Sequence, residues 1–231
     1  MTGDHLGEAL RLLQLHDPFE EVPEVTAACT DAMETDGLAL SLVTGGIDTE
    51  LLWCSDAATR HIEDLQFTLG QGPGPDTVRT GTTQWVPDWT GVRPGRWPAL
   101  TSQATELQAR AVFCFPLAVG THCIGVLTTV RQASGPLTAH QASNASMLAA
   151  AVTARFLDTG EAVLERPDPG RVLLQRRLIH QASGMASVQL DVPPSQALMC
   201  LRALAFSSGR PLADICQDVL DRRLHLALGG D

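Results

Sequence analysis

"AVFCFPLAVGTHCIGVLTTVRQ", residues 111–132, reads as two strands folded back on each other across Gly120–Thr121. Both arms are short apolar runs rich in β-branched and aromatic residues, and a glycine-containing turn joins them, which is a hairpin pattern. The period then changes. "LTAHQASNASMLAAAVTARFL" (137–157) is helical in spacing, and Thr138 followed three residues later by Gln141 fits a capping box at its start. Strands followed by a long helix place this part of the chain in the α+β class.

Working outward, "LALSLV" (38–43) and "LLWCSD" (51–56) read as strands around a "TGGID" turn, and "TQWVPDW" (83–89) as a strand ended by proline. Helices are expected at 4–15, 20–35 and 57–66. A short one follows the turn cluster "GQGPGPDTVRTG" (70–81), and another lies in 96–107. The helix that opens near 139 is expected to run to about 165, where "ERPDPG" (165–170) breaks it with two prolines and a glycine. This hinge divides the chain into a domain at 1–165 and a second at 171–225.

After the hinge the pattern is entirely helical. Leu174, Leu178, Ala182 and Met185 make one apolar stripe, and Ala197, Leu201 and Leu204 a second. Leu212, Ile215 and Val219 make a third. Pro193 and Pro194 open the middle helix, where a missing N–H costs least, and Gly209 is placed to end it. Gly184 stands out inside the first of these helices, because an interior glycine costs about 1 kcal/mol relative to alanine. Three readings are open: the helix ends there, another helix packs tightly against it, or something approaches its backbone closely.

Composition narrows the function. Of 231 residues 44% are hydrophobic and 18% charged, ordinary for a globular protein. The longest apolar runs fall well short of the roughly 20 residues of a membrane span, and the N-terminus has no basic region like that of a secretory signal. A cytoplasmic protein without a membrane partner is expected. The net charge is −10, yet residues 1–170 carry −12 and residues 171–231 carry +2, an asymmetry that suggests a division of labour. The six cysteines include no C-x-x-C pair, so no metal site is expected and the thiols read as small buried hydrophobes. "GQGPGP" lacks the Gly-Lys-Ser/Thr ending of a phosphate loop, and its glycines and prolines read as shaping a turn beside a pocket.

The segment "RLIHQASGM…DVPPSQALMCLRALAFSSGRPLADICQDVL" (177–220) resembles the ANTAR family, three-helix modules that bind RNA and prevent transcription termination in bacteria. The register holds over this stretch without a gap, from Arg177 and Ile179 through Ala197, Leu201 and Arg202 to Leu212 and Ile215. It departs at Ser183, where the family has lysine, at Leu198 for phenylalanine, and at Gly209 for asparagine. "LQFTLGQGPGPDTVRTG", "VPDW…RWP" and the hairpin itself resemble the GAF domain, an antiparallel sheet with flanking helices and a small-molecule pocket. Gly74 stands where cysteine is common in that family.

The resemblance implies a GAF sensor followed by an all-α ANTAR module, and names candidate residues. Arg177, Gln181, Ser183, Gly184, Arg202 and Arg210 are the expected RNA contacts, since guanidinium groups clamp phosphates and stack on splayed bases. Trp53, Phe67, Trp85 and Phe113 are the expected pocket aromatics. The function implied is a signal-responsive antiterminator without catalysis. Its GAF part would sense an unidentified small molecule or redox state, and a homodimer would grip tandem hairpins of a nascent transcript. No cofactor is assigned. Two alternatives stand beside it. One is a degenerate ANTAR module used for dimerisation or protein docking. The other is a GAF-type methionine sulfoxide reductase, for which Cys114 and Cys123 on the hairpin are the candidate thiol pair.

Overall fold

The computed structural model describes residues 3–16, 22–44, 48–93, 95–103, 107–159 and 172–226. The chain divides into two compact units, Met1–Leu164 and Glu165–Asp231. The expected hinge at 165–170, and the end of the helix expected to reach 165, lie outside the described residues.

The first unit is built on a five-stranded antiparallel sheet: β1 (Gly37–Thr44), β2 (Asp48–Cys54), β3 (Gln84–Val86), β4 (Ala111–Val119) and β5 (His122–Arg131), in the order β2-β1-β5-β4-β3. The β4–β5 hairpin is its spine, with Phe113 opposite Thr129 and Phe115 opposite Leu127. Gly120 takes the turn with φ 61°. Helices cover both faces, which explains why β4 is apolar at nearly every position instead of alternating. Ala111, Phe113, Phe115 and Leu117 face a core completed by α1 (Gly3–Leu15), α2 (Pro23–Met33) and α6 (Ala139–Thr159). Val112 and Cys114 face the other way, into a core shared with Ile62, Trp89, Trp97 and Leu100. That side carries α3 (Ala57–Leu69), α4 (Pro73–Thr80), a short 3₁₀ turn at Trp89–Gly91, and α5 (Pro98–Gln103). Pro116 interrupts β4 beyond the end of β3, whose ladder stops at Cys114, so its missing N–H falls where β4 has a single neighbour.

Side chains fix the helix starts. Thr138 N–H donates to Gln141 Oε1 at 2.8 Å and Gln141 N–H to Thr138 Oγ1 at 3.2 Å, a reciprocal cap. The Gln141 amide also reaches Glu34 Oε2 at 2.7 Å, tying the start of α6 to the end of α2. Asp56 caps α3 by accepting from Thr59 N–H at 2.8 Å and from Thr59 Oγ1 at 2.6 Å. A Cβ at Gly37 would collide with that Thr59 hydroxyl and with Asp56 Oδ2, so the cap and the strand meet closely here.

The Asp56 cap yields a pH prediction. Burial alone would raise its pKa, but the hydroxyls of Ser55 and Thr59 and two backbone amides outweigh burial and hold it below the usual carboxylate value. A depressed folded-state pKa contributes stability that is complete above about pH 4 and is lost as pH falls through the folded value. Urea midpoints of wild type and Asp56→Asn therefore differ most above about pH 4 and converge as pH falls through the depressed folded value. A constant difference across that range refutes the assignment.

The second unit is a three-helix module: α7 (Val172–Leu190), α8 (Pro194–Ser208) and α9 (Leu212–Leu220), each packed on the other two. Gly209 ends α8 in the left-handed region at φ 64°. The buried stripe of α7 is Ile179, Ala182, Ser183, Ala186 and Leu190, rotated from the expected Leu178, Ala182 and Met185; the side chain of Leu174, also expected there, lies outside the described residues. Small residues let α7 lie close to its neighbours, while Leu178 and Met185 sit at the edge of the contact. On α8 the buried residues are Ala197, Leu198, Leu201 and Ala205, with Leu204 only half-buried. Among the described residues no helix is long and apolar enough to cross a membrane.

Candidate functional site

Three of the four expected pocket aromatics lie on one face of the sheet, and Phe67 lies apart on α3. Trp53 and Phe113 are buried in the core beneath α1, α2 and α6. Trp85 is 46% exposed and lies edge-on to Phe113 and Phe115, with ring centroids 5.8 and 5.6 Å apart. Phe67 is buried on α3, whose Ile62 belongs to the opposite core. The reason is strand parity: Phe113 shares a face with residues 111, 115 and 117, and that face belongs to the long helices.

The face beneath α3 and α4 holds a different set. Glu63 and Gln66, one turn apart on α3, are both buried. Ser41 Oγ donates to Glu63 Oε2 and Gln66 Nε2 to Glu63 Oε1, both at 3.1 Å. Gln66 Oε1 accepts from Gly74 N–H at 2.7 Å. Thr77 Oγ1 lies 2.8 Å from the Pro73 carbonyl and 3.3 Å from that of Cys114, and Cys114 Sγ lies 3.6 Å from Thr128 Oγ1. The "GQGPGP" turn serves this cluster. A Cβ at Gly72 would stand 2.5 Å from Gln66 Oε1, and Gly72 sits at φ 135°. Sequence reading missed Glu63, Gln66, Ser41, Thr77 and Thr128. The available signal was Ser41 and Thr128 interrupting apolar strands, and an acid and an amide at helical spacing. The cluster is a network of internal hydrogen bonds between sheet and helices.

Burial works against ionising either thiol of the candidate pair. Burial pushes Cys114 far up, the Glu63 carboxylate adds to that, and its contact with Thr128 pulls back only partly. Burial also raises Cys123. Cys114 pairs with Thr128, whereas Cys123 pairs with Ala118 at the turn end of the hairpin. Five residues of strand separate them, on the order of 15 Å, against less than 7 Å between Cα atoms for a disulfide. The Cys114–Cys123 pair expected for a reductase is thus not brought together. Peroxide treatment followed by intact-mass analysis is expected to give no loss of two hydrogens between these residues. A Cys114–Cys123 crosslinked peptide would overturn this.

In the second unit the six expected RNA contacts separate into two groups. Arg177, Gln181 and Gly184 are exposed on α7 at four- and three-residue spacing, one continuous stripe. An added Cβ at Gly184 meets nothing within 4 Å, and α7 continues to Leu190. Among the described residues neither packing nor a helix end accounts for this glycine. Gln181 and Gly184 instead border an open groove with Met185, Val188, Gln189 and Leu220, and Gln189 Oε1 accepts from Leu226 N–H at 2.9 Å. The other three differ from expectation. Ser183 is 3% exposed and its hydroxyl donates to the Ile179 carbonyl at 2.7 Å, so it faces the core and cannot meet RNA. Arg202 is half-buried, its charge close enough to Cys216 to oppose the burial that pushes that thiol up to about 12. Arg210 is held by Asp218 Oδ2 at 2.7 Å, and Asp218 also accepts from Arg223 at 3.0 Å.

Comparison with known proteins follows the same division. A family model described as GAF domain matches residues 17–156, and the helices of the second unit lie beyond the match. The free methionine-R-sulfoxide reductase of Neisseria meningitidis, solved in complex with its substrate, is similar at 18% identity and TM-score 0.53, covering 70% of this chain and 92% of that one. The GAF domain of a phosphoenolpyruvate-protein phosphotransferase from Coxiella burnetii gives 12% and 0.55, covering 68% and 94%. Its Acinetobacter counterpart gives 12% and 0.55, covering 72% and 98%. At these identities the likeness is one of fold. The comparison with curated proteins finds no match.

Proposed function

The chain belongs to the GAF-domain family through residues 17–156, and from that premise we propose that it is a signal-responsive, RNA-binding transcription antiterminator acting in the cytoplasm. The first unit senses a small molecule or a redox state; the second, an ANTAR-like three-helix module, binds tandem RNA hairpins. The observation that carries this reading is the exposed α7 stripe Arg177–Gln181–Gly184. Arg177 and Gly184 are positions of the resembling motif that face solvent, and packing within the described residues does not require the glycine. Arg177 supplies charge to phosphate, Gln181 an amide to a base edge, and Gly184 an unobstructed backbone. The net charge of +2 on residues 171–231, in a chain of −10, favours this half as the one that meets a polyanion.

Regulation requires that the signal bind one arrangement of the protein more tightly than the other, since equal affinity shifts nothing. A homodimer presents two modules at high effective concentration, which strengthens the grip on two adjacent hairpins. The test is fluorescence anisotropy of the full chain with a labelled tandem-hairpin RNA against a loop-scrambled control over a salt series. Preference for the intact loops with a salt-dependent affinity supports the reading. No preference at any salt overturns it.

Two observations favour the second reading, a module retained for dimerisation or protein docking. Ser183, in place of the family's lysine, is buried, and Arg210 is committed to Asp218. Self-association without RNA preference in the same titration selects that reading.

A further inference from the structure

We infer that Phe206, on the outward face of α8, is a stacking platform for an unpaired base of the bound RNA; this rests on the RNA-binding reading and adds a second contact surface to it. Phe206 is the one aromatic residue among Phe, Trp and Tyr in residues 165–231, and it is 78% exposed. A small three-helix unit would ordinarily bury such a side chain, the largest apolar one it has. Here the core is made of Ile179, Leu198, Leu201, Ile215 and smaller residues, and the phenylalanine is left outside. It stands on a face with Gln196, Met199, Cys200 and Ala203, all exposed, at the spacing of one helical stripe. Met199 is 57% exposed.

Charge selects the occupant. No aspartate or glutamate occurs from Val192 to Ala213, the whole of α8 and its flanking turns. Its charged residues are Arg202, one turn before Phe206 on α8, and Arg210, which follows the Gly209 cap. Arg210 remains 47% exposed while paired to Asp218. An exposed aromatic on a helix that carries an arginine and no acid, with Asp218 of α9 already matched by Arg210 and Arg223, suits single-stranded nucleic acid, in which rings stack on bases and cations meet the backbone. A symmetric helix seam would need a broad apolar stripe. This face offers two large side chains, Met199 and Phe206, seven residues and so about 10 Å apart, with small residues between them. Every base has a π-face, so this contact contributes affinity without choosing sequence, which leaves discrimination to the α7 stripe.

The test uses the full chain and a tandem-hairpin RNA in two forms, with intact loops and with an abasic site stepped through each loop position. Phe206→Ala is expected to weaken binding of the intact RNA about 5- to 100-fold with an unchanged salt slope, and Phe206→Trp to retain it. One abasic RNA is expected to lose the same factor with wild type and nothing further with Phe206→Ala, the non-additivity of a direct contact. Phe206→Ala is expected to fold, since the side chain is on the surface and alanine favours helix. Wild type that prefers the hairpins while Phe206→Ala binds equally well overturns this inference and leaves the RNA reading standing. Wild type that shows no RNA preference overturns both. A Phe206→Ala loss that is equal for intact and all abasic RNAs, with a dimer becoming a monomer in sedimentation, assigns the face to self-association and overturns it as well.

Discussion

Phe113→Ala is expected to lower the unfolding free energy by about 3–5 kcal/mol, read as a shift of the urea midpoint at unchanged slope. Phe113 is fully buried in β4, opposite Trp85 on one side and Thr129 on the other, in the core that α6 closes. Truncation removes the ring and leaves a cavity among Phe115, Leu127 and the α6 side chains, which close packing cannot fill. A domain of this kind has about 5–15 kcal/mol in total, so the loss is a large share. Trp85→Ala is the contrast. Trp85 contributes edge-on contacts with Phe113 and Phe115 from a half-exposed position, so its removal is expected to cost nearer 1 kcal/mol. The pair of variants distinguishes a core ring from a pocket wall. A Phe113→Ala protein within about 1 kcal/mol of wild type would mean that Phe113 borders open space, and would return it to a ligand site.

That contrast also shows what the sequence made legible. Strands and helices followed from period and punctuation: the Gly120–Thr121 turn, the Thr138/Gln141 cap and the Gly209 stop all act through groups within a few residues of one another. Which face each strand residue takes depends on what packs there: Trp53, Trp85 and Phe113 share the face that the long helices cover, and residue type alone does not tell a packed core from a pocket wall. The Glu63–Gln66–Ser41–Cys114 cluster was invisible for the same reason. Its members come from α3, β1 and β4, and only folding brings an acid, an amide and a hydroxyl within hydrogen-bond distance. On α7 the error was one of rotation. Ala182 is buried as expected, but Leu178 and Met185 are only half-buried, and Ile179, Ser183, Ala186 and Leu190 complete the buried stripe. Ser183 fits this role because its hydroxyl is satisfied by the Ile179 carbonyl within its own helix. Correcting the rotation is what turns Arg177, Gln181 and Gly184 outward together.

The corrected rotation leads to the sharpest expectation for RNA. Arg177→Ala and Gln181→Ala are each expected to weaken tandem-hairpin binding roughly 5- to 150-fold, about 1–3 kcal/mol for a direct contact to a phosphate or a base edge. The two losses should differ in kind. Arg177→Ala should act about equally on intact and loop-substituted hairpins and reduce the salt slope by about one. Gln181→Ala should leave the slope alone and narrow the preference for the intact loop, because an amide reads base edges. Gly184→Ala adds a methyl where nothing stands within 4 Å. It should therefore stabilise the helix by up to about 1 kcal/mol while weakening RNA binding, a combination that a merely structural glycine would not give. Ser183→Ala is the internal control: its side chain is turned into the core, so binding should hold. If Ser183→Ala weakens binding while Arg177→Ala and Gln181→Ala do not, the face of α7 that meets RNA is the one now packed inward, and the helix must turn or open before the transcript is gripped.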